Sequence, residues 1–89
     1  MSATKHWTVD IYIDEHDDST RAEARLHTHD DTQVKGTGFA RRNPRDVNIP
    51  EIGDELAGAR ALSDLARQLL KATAEDIEDV THESVHLTR

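Results

Sequence analysis

The 89-residue chain has no cysteine, and only three aromatic residues, Trp7, Tyr12 and Phe39. Without cysteine there is neither a disulfide framework nor a thiolate metal site, as expected of a protein that works in a reducing compartment. No apolar run approaches the ~20 residues of a membrane span. Met1 to Lys5 leads into an alternating segment rather than an apolar stretch, so no secretory leader is expected and the protein reads as cytoplasmic. Positive charge is also scarce. A formal net charge of -7 argues against loose adhesion to nucleic acid, which depends on Lys and Arg replacing counterions along the phosphates.

What remains is barely enough for a core. Leu, Ile, Val and Phe make up 18 of the 89 residues, close to the ~20% below which a highly charged chain tends toward disorder. A chain of this length folds as one domain, residues 1–89, burying roughly 60% of the surface that its unfolded form exposes. The surplus of folding energy at this size is small, so burying a face against a second copy adds stability that one chain lacks. A homodimer is expected.

The apolar residues alternate in the first half of the chain. Trp7, Val9, Ile11 and Ile13 share one face while Thr8, Asp10 and Tyr12 share the other, the pattern of a half-buried strand. After the acidic turn Asp14-Glu15-His16-Asp17-Asp18, Ala22, Ala24 and Leu26 alternate with charged residues in a second strand. Pairing Ile13 with Ala22 and Val9 with Leu26 also sets Asp10 opposite Arg25 and Asp14 opposite Arg21. Each such pair contributes roughly 0.2–1 kcal/mol, which favours this register. Asp30-Asp31-Thr32-Gln33 makes the next turn and Val34 to Ala40 the third strand. With Val34, Gly36, Gly38 and Ala40 toward the core, the glycines let a helix lie close and Phe39 joins Tyr12 on the open face; the alternative puts Phe39 in the core.

A polar connection holding Asn43-Pro44 runs from Arg41 to Ile49. Pro50 fits the first position of a helix, where its missing N–H costs nothing, and Glu51, Asp54 and Glu55 complement the positive helix start. Ile52, Leu56, Ala59, Leu62, Ala66, Leu69 and Leu70 recur every three or four residues, which predicts one apolar stripe facing the core up to about Ala72. Thr73 can cap a shorter helix over 74–80, with Asp76 three residues on. Ser84 to Leu87 alternates as a short strand or ordered tail. The fold class is therefore α+β, a three-stranded antiparallel sheet packed by one long helix plus a short C-terminal helix.

This order of strands and helix, with Gly36-Thr37-Gly38 in the third strand, resembles the double-stranded-RNA-binding-domain fold lacking its first helix. His6-Trp7-Thr8-Val9-Asp10-Ile11 and Ile13-Asp14-Glu15-His16 look like the opening of a family of short actinobacterial proteins of unknown function. Asn43-Pro44, the run from Pro50 to Leu56, the run from Ala59 to Leu65, Asp76-Ile77-Glu78 and Val80-Thr81-His82 extend the likeness over nearly the whole chain. The resemblance implies a dsRBD-like fold, a homodimer, and a likeness to hibernation-promoting factors that bind idle ribosomes under stress or dormancy. It supplies no catalytic residues.

Candidate chemistry is thin. His27 and His29 share a strand face beside Asp30-Asp31, a donor set that zinc accepts; alternation alone produces that spacing, so they read as solvated polar residues and no metal or other cofactor is expected. The acidic turn lacks the glycine and later glutamate of a calcium loop. Nucleophile, base and orienting group do not occur together, so no enzyme is expected. Arg41, Arg42 and Arg45 cluster after the third strand, while Arg60, Arg67 and Lys71 share a helix flank. Together they are the candidate nucleic-acid-binding residues, with the ribosome or ribosomal RNA as partner. Against this, the basic run of RNA-binding relatives at the helix start is replaced by Glu51, Asp54 and Glu55, and Asp64 can bridge Arg60 and Arg67 as part of a solvated flank. The competing expectation is a protein-interaction module using Tyr12 and Phe39, the candidate dimer interface, with no RNA bound. No membrane and no small-molecule substrate enter either reading.

Overall fold

Alternation and turn chemistry place three strands and one helix in chain order: β1 (Thr8–Glu15), β2 (Ser19–His27), β3 (Gln33–Arg41) and α1 (Pro50–Thr81). The computed structural model describes residues 2–30, 32–43, 45 and 47–87. Asp31 of the second turn and Pro44 of the connection lie outside them. The sheet is antiparallel in the order β1-β2-β3, with Ile13 opposite Ala22, Val9 opposite Leu26, Asp10 opposite Arg25 and Asp14 opposite Arg21. This is the register that cross-strand charge predicts. The β1–β2 turn closes through the His16 amide, which donates to the Ser19 carbonyl at 2.8 Å. The exit of β3 is tied to the same turn twice: the Arg42 amide donates to the Asp18 carbonyl at 2.8 Å, and its guanidinium meets the Asp18 carboxylate at 2.6 Å.

The core is built on an unusually close approach of helix to sheet. Gly36 and Gly38 face α1, as the alternation predicts, and Phe39 points to the open face. A Cβ added at Gly36 would sit 2.7 Å from the Leu65 Cα, and one at Gly38 would sit 2.8 Å from the Arg60 carbonyl carbon, both well inside van der Waals contact. The buried apolar residues are Ala22, Ala24, Leu26 and Ala40 from the sheet and Ala57, Ala61 and Leu65 from the helix. Val34 and Leu69 pack at the border.

The helical core row therefore differs from the predicted stripe. Ile52, Leu56, Ala59 and Leu62 are exposed, and Ala66, Leu69 and Leu70 are only partly covered. The glycine floor admits backbone-close contact, and the row seated on it is Ala57, Ala61 and Leu65. The bulkier row is turned aside.

The helix also does not break near residue 73. Thr73 donates its hydroxyl to the Leu69 carbonyl at 2.9 Å, a bond one turn back within the same helix. The residues from Ala74 to Asp79 offer no Pro or Gly to stop propagation. α1 ends where His82 adopts the left-handed conformation at φ 60° and donates its amide to the Glu78 carbonyl. The tail from Ser84 forms no strand. It turns back beside the helix, with the Val85 amide on the Glu78 carboxylate at 2.8 Å.

β1 is the outlier. Every residue in it is exposed, including Val9, Ile11 and Ile13 on the helix-facing side at 39%, 40% and 41%. The whole chain exposes 7194 Å², against about 5,200 Å² for a compact monomer of 10.0 kDa. Only about half of the surface of the unfolded chain is buried, less than the roughly 60% expected of so small a domain.

Substitution at the glycines tests this packing with opposite signs. Gly36→Ala and Gly38→Ala are expected to force the helix off the sheet and cost at least the ~1–3 kcal/mol of an overpacked core. At Gly58 an added Cβ meets nothing within 4 Å, so Gly58→Ala gains helix propensity worth ~1 kcal/mol. Urea unfolding of the three variants, monitored by circular dichroism, reads both signs.

Candidate functional site

Three surfaces compete for function: the open sheet face, the basic flank of α1 and the apolar face beside β1. On the open face, alternation brings Tyr12, Glu23 and Thr37 into one cross-strand row and Arg21 and Phe39 into another. Tyr12 and Phe39, the predicted interface aromatics, are 50% and 60% exposed, yet each has an arginine over its ring. The Arg25 guanidinium lies 4.6 Å from the Tyr12 centroid, and Arg21 lies 5.9 Å from that of Phe39, within cation–π range. Glu23 is nearly buried between Arg25 at 3.1 Å and Lys35 at 3.6 Å. The hydrogen bond from Arg25 holds its carboxyl below the usual range. His27 meets Asp10 at 2.9 Å on the same face. Among the described residues no group of three or more His, Cys, Asp or Glu lies where a metal could be held.

The basic residues are divided by their partners. Arg42 is tied to the first turn through Asp18. Arg60 donates to the Phe39 carbonyl at 2.7 Å, and Arg67 reaches Asp64 at 3.3 Å. Asp64 does not bridge Arg60 and Arg67 as the spacing predicts. Its second oxygen accepts the Thr37 amide at 2.9 Å, and this bond, before those from Gln68 and Arg67, holds its carboxyl below the usual range. Asp64 and Arg60 thus satisfy backbone groups on the free edge of β3. Arg41, Arg45 and Lys71 are exposed, and among the described residues no carboxylate pairs with them. Lys71 shares a flank with Arg60 and Arg67, while Arg41 and Arg45 stand nearer the helix start.

Among the described residues, two of the cavities that open to solvent flank α1. The larger, about 820 Å³, runs between the β1–β2 turn and the start of α1, with Val47, Ile49, Ile52 and Leu56 on its apolar side and Asp18, Arg41 and Arg42 among its polar residues. The smaller, about 450 Å³, lies where the tail returns beside Leu70, Lys71 and Ala74.

The third surface was hidden by its own pattern. The alternation of Val9, Ile11 and Ile13 reads as core, and so does the stripe through Leu62. The available signal was the count: α1 carries more apolar positions than one sheet face can cover.

A sequence model of the Rv2632c-like family matches residues 5–86. The uncharacterized protein Mb1767 of Mycobacterium bovis is 58% identical over 83 residues, 93% of this chain and 87% of that protein. The uncharacterized protein Rv2632c of Mycobacterium tuberculosis is 53% identical over 77 residues, 86% of this chain and 82% of its own length. The crystal structure of Rv2632c superposes with a TM-score of 0.81 at 50% identity, covering 92% of this chain and 96% of that one.

Asp30 and Asp64, like Glu23, are carboxylates whose lowered values tie the stability of the fold to pH. Asp30 is lowered to about 2, chiefly by the Thr28 hydroxyl and then by Thr32, and Asp64 is lowered by the Thr37 amide. A carboxyl whose folded value is depressed contributes stability that is fully present above its unfolded value, about 4, and is lost as pH falls through the folded value. Asp64→Asn is expected to be less stable than wild type near neutrality, with the gap closing as pH falls below about 4. Urea midpoints across that range check it, and an NMR titration checks Asp30.

Proposed function

The chain belongs to the Rv2632c-like family, and from the resemblance of its motifs to proteins likened to hibernation-promoting factors we propose that it is a non-enzymatic, cytoplasmic homodimer of stress or dormancy that acts on the idle ribosome. The observation that carries this reading is the apolar surface left bare on β1 and α1, which one chain cannot cover and a second copy can. Its perturbed titratable groups are spent on the fold: Glu23 on Arg25 and Lys35, Asp30 on its own turn, Asp64 on the edge of β3. This supports binding rather than catalysis. The element order supports the likeness to a dsRNA-binding domain lacking its first helix, and through it the likeness to hibernation-promoting factors.

On this reading Arg41, Arg45 and Lys71 make the phosphate contacts, flanked by Arg60 and Arg67, whose side chains also hold the fold together. A protein-interaction module without RNA is the second reading. It is favoured by the open face, where arginines already cap both aromatics and paired charges surround Glu23, leaving a surface suited to a polar protein partner.

Co-sedimentation with ribosomes across a salt series separates the two. Wild type is expected to pellet with ribosomes at low salt, and Arg41→Ala/Arg45→Ala/Lys71→Ala to flatten the salt dependence by about two to three units. The variant keeps its fold, since exposed charges contribute little to stability. Identical curves remove these cations from the mechanism, and absence of binding by both leaves the protein-partner reading.

A further inference from the structure

α1 carries two apolar rows, and the sheet has room for two helices but holds one. At 100° per residue, Ala57, Ala61 and Leu65 form the row seated on the glycines. A second row, Ala59, Leu62, Ala66 and Leu69, steps by three, four and three residues, the spacing of a helix–helix seam. It lies about 120° round the helix from the first. Arg60 and Asp64 reach the free edge of β3 on one side of the seated row, so the second row overhangs the opposite side, toward β1. There Leu62 is 43% exposed above the bare apolar side of Val9, Ile11 and Ile13.

Dimensions select what covers this face. Strands lie about 4.8 Å apart, so α1, seated over β2 and β3, stands roughly 7 Å across the sheet from β1. Packed helices sit about 8–10 Å apart, so a second helix laid alongside α1 falls over β1. Pairing two sheets through their β1 edges would instead put the two helices about 19 Å apart. That would leave both apolar faces open.

Resting on the homodimer reading above, we propose that the occupant is α1 of a second copy of this chain. Each helix lays its second row against the other helix and covers the partner's β1, and a two-fold axis satisfies both copies at once. The side of α1 away from its own sheet then meets the partner's sheet. Each helix is thereby enclosed between two sheets, the setting of a helix that is apolar on more than one face. The surface in excess of a compact monomer, roughly 2,000 Å² per chain, is of the size that obligate homodimers bury.

Charge placed on either face of β1 tests the geometry, because neighbouring residues point to opposite sides. Wild type is expected to sediment as two chains. Ile11→Glu and Leu62→Glu are expected to halve that mass with helical circular dichroism retained, and Tyr12→Glu to leave it unchanged. A second measurement stands even where a charge variant unfolds. The chain has no cysteine, so when Ile11→Cys chains are mixed with Leu62→Cys chains a short bis-maleimide should give the mixed pair, identified by its mass, and when Tyr12→Cys is mixed with Leu62→Cys the mixed pair should not form. A dimer that survives Ile11→Glu, or that cross-links through Tyr12 instead, overturns this geometry and keeps the homodimer. A wild-type mass of one chain at tens of micromolar overturns both.

Discussion

The rest of the structure depends on the contact between two glycines of β3 and the backbone of α1. Because Gly36 and Gly38 have no Cβ, the helix lies with its main chain almost on the sheet, and only small side chains can stand between them. That one constraint decides which helical row is buried, makes the core largely of alanine, and pushes the Leu- and Ile-rich row out of the interior. A floor of larger residues would lift the helix and bring a different row inward. The chain would then fill its own core and leave less surface for anything else.

The two sheet edges are managed differently as a result. On β3 the close helix brings Asp64 and Arg60 within reach of the Thr37 amide and the Phe39 carbonyl, so helical side chains satisfy backbone groups that would otherwise invite another strand. β1 is touched by α1 far less than β2 and β3 are. Its edge is guarded by charge alone, with Asp10, Asp14 and Glu15 along eight residues. Its helix-facing side has no such protection, and that asymmetry leaves Val9, Ile11 and Ile13 as apolar surface exposed on the β1 side.

Electrostatics follows the same division. The cations that lie close to the sheet and the first turn are drawn into structural bonds: Arg42 to Asp18, Arg60 to a carbonyl, Arg25 to Glu23. Arg41, Arg45 and Lys71, at the periphery, are exposed, and no ion pair with a carboxylate is formed by them among the described residues. On a chain with net charge -7, unpaired positive charge thus stands at the periphery, and the open sheet face presents neutralised pairs rather than positive charge.

Local regularities were legible in the sequence because they are local. The period-two alternation from Trp7 to Ile13 and from Ala22 to Leu26 fixed the strands and their faces, and Asp10 with Arg25 and Asp14 with Arg21 fixed their register. Pro50 marked the helix start, and the glycine pair marked where the helix would lie. Which helical row would be buried was not legible, since Ala57, Ala61 and Leu65 and the row through Leu62 have similar periodicity, and the choice rests on the depth of a floor contributed by a distant strand. Nor was the path of Thr73, whose hydroxyl serves a cap or a continuing helix equally well until the helix around it is held in place. The same holds for Asp64, which by spacing belongs to its helical neighbours and by packing belongs to β3. Sequence by itself determined the elements and their pairing. Only the tertiary structure decided which apolar surfaces are satisfied within one chain, because that depends on how closely two elements far apart in sequence can approach.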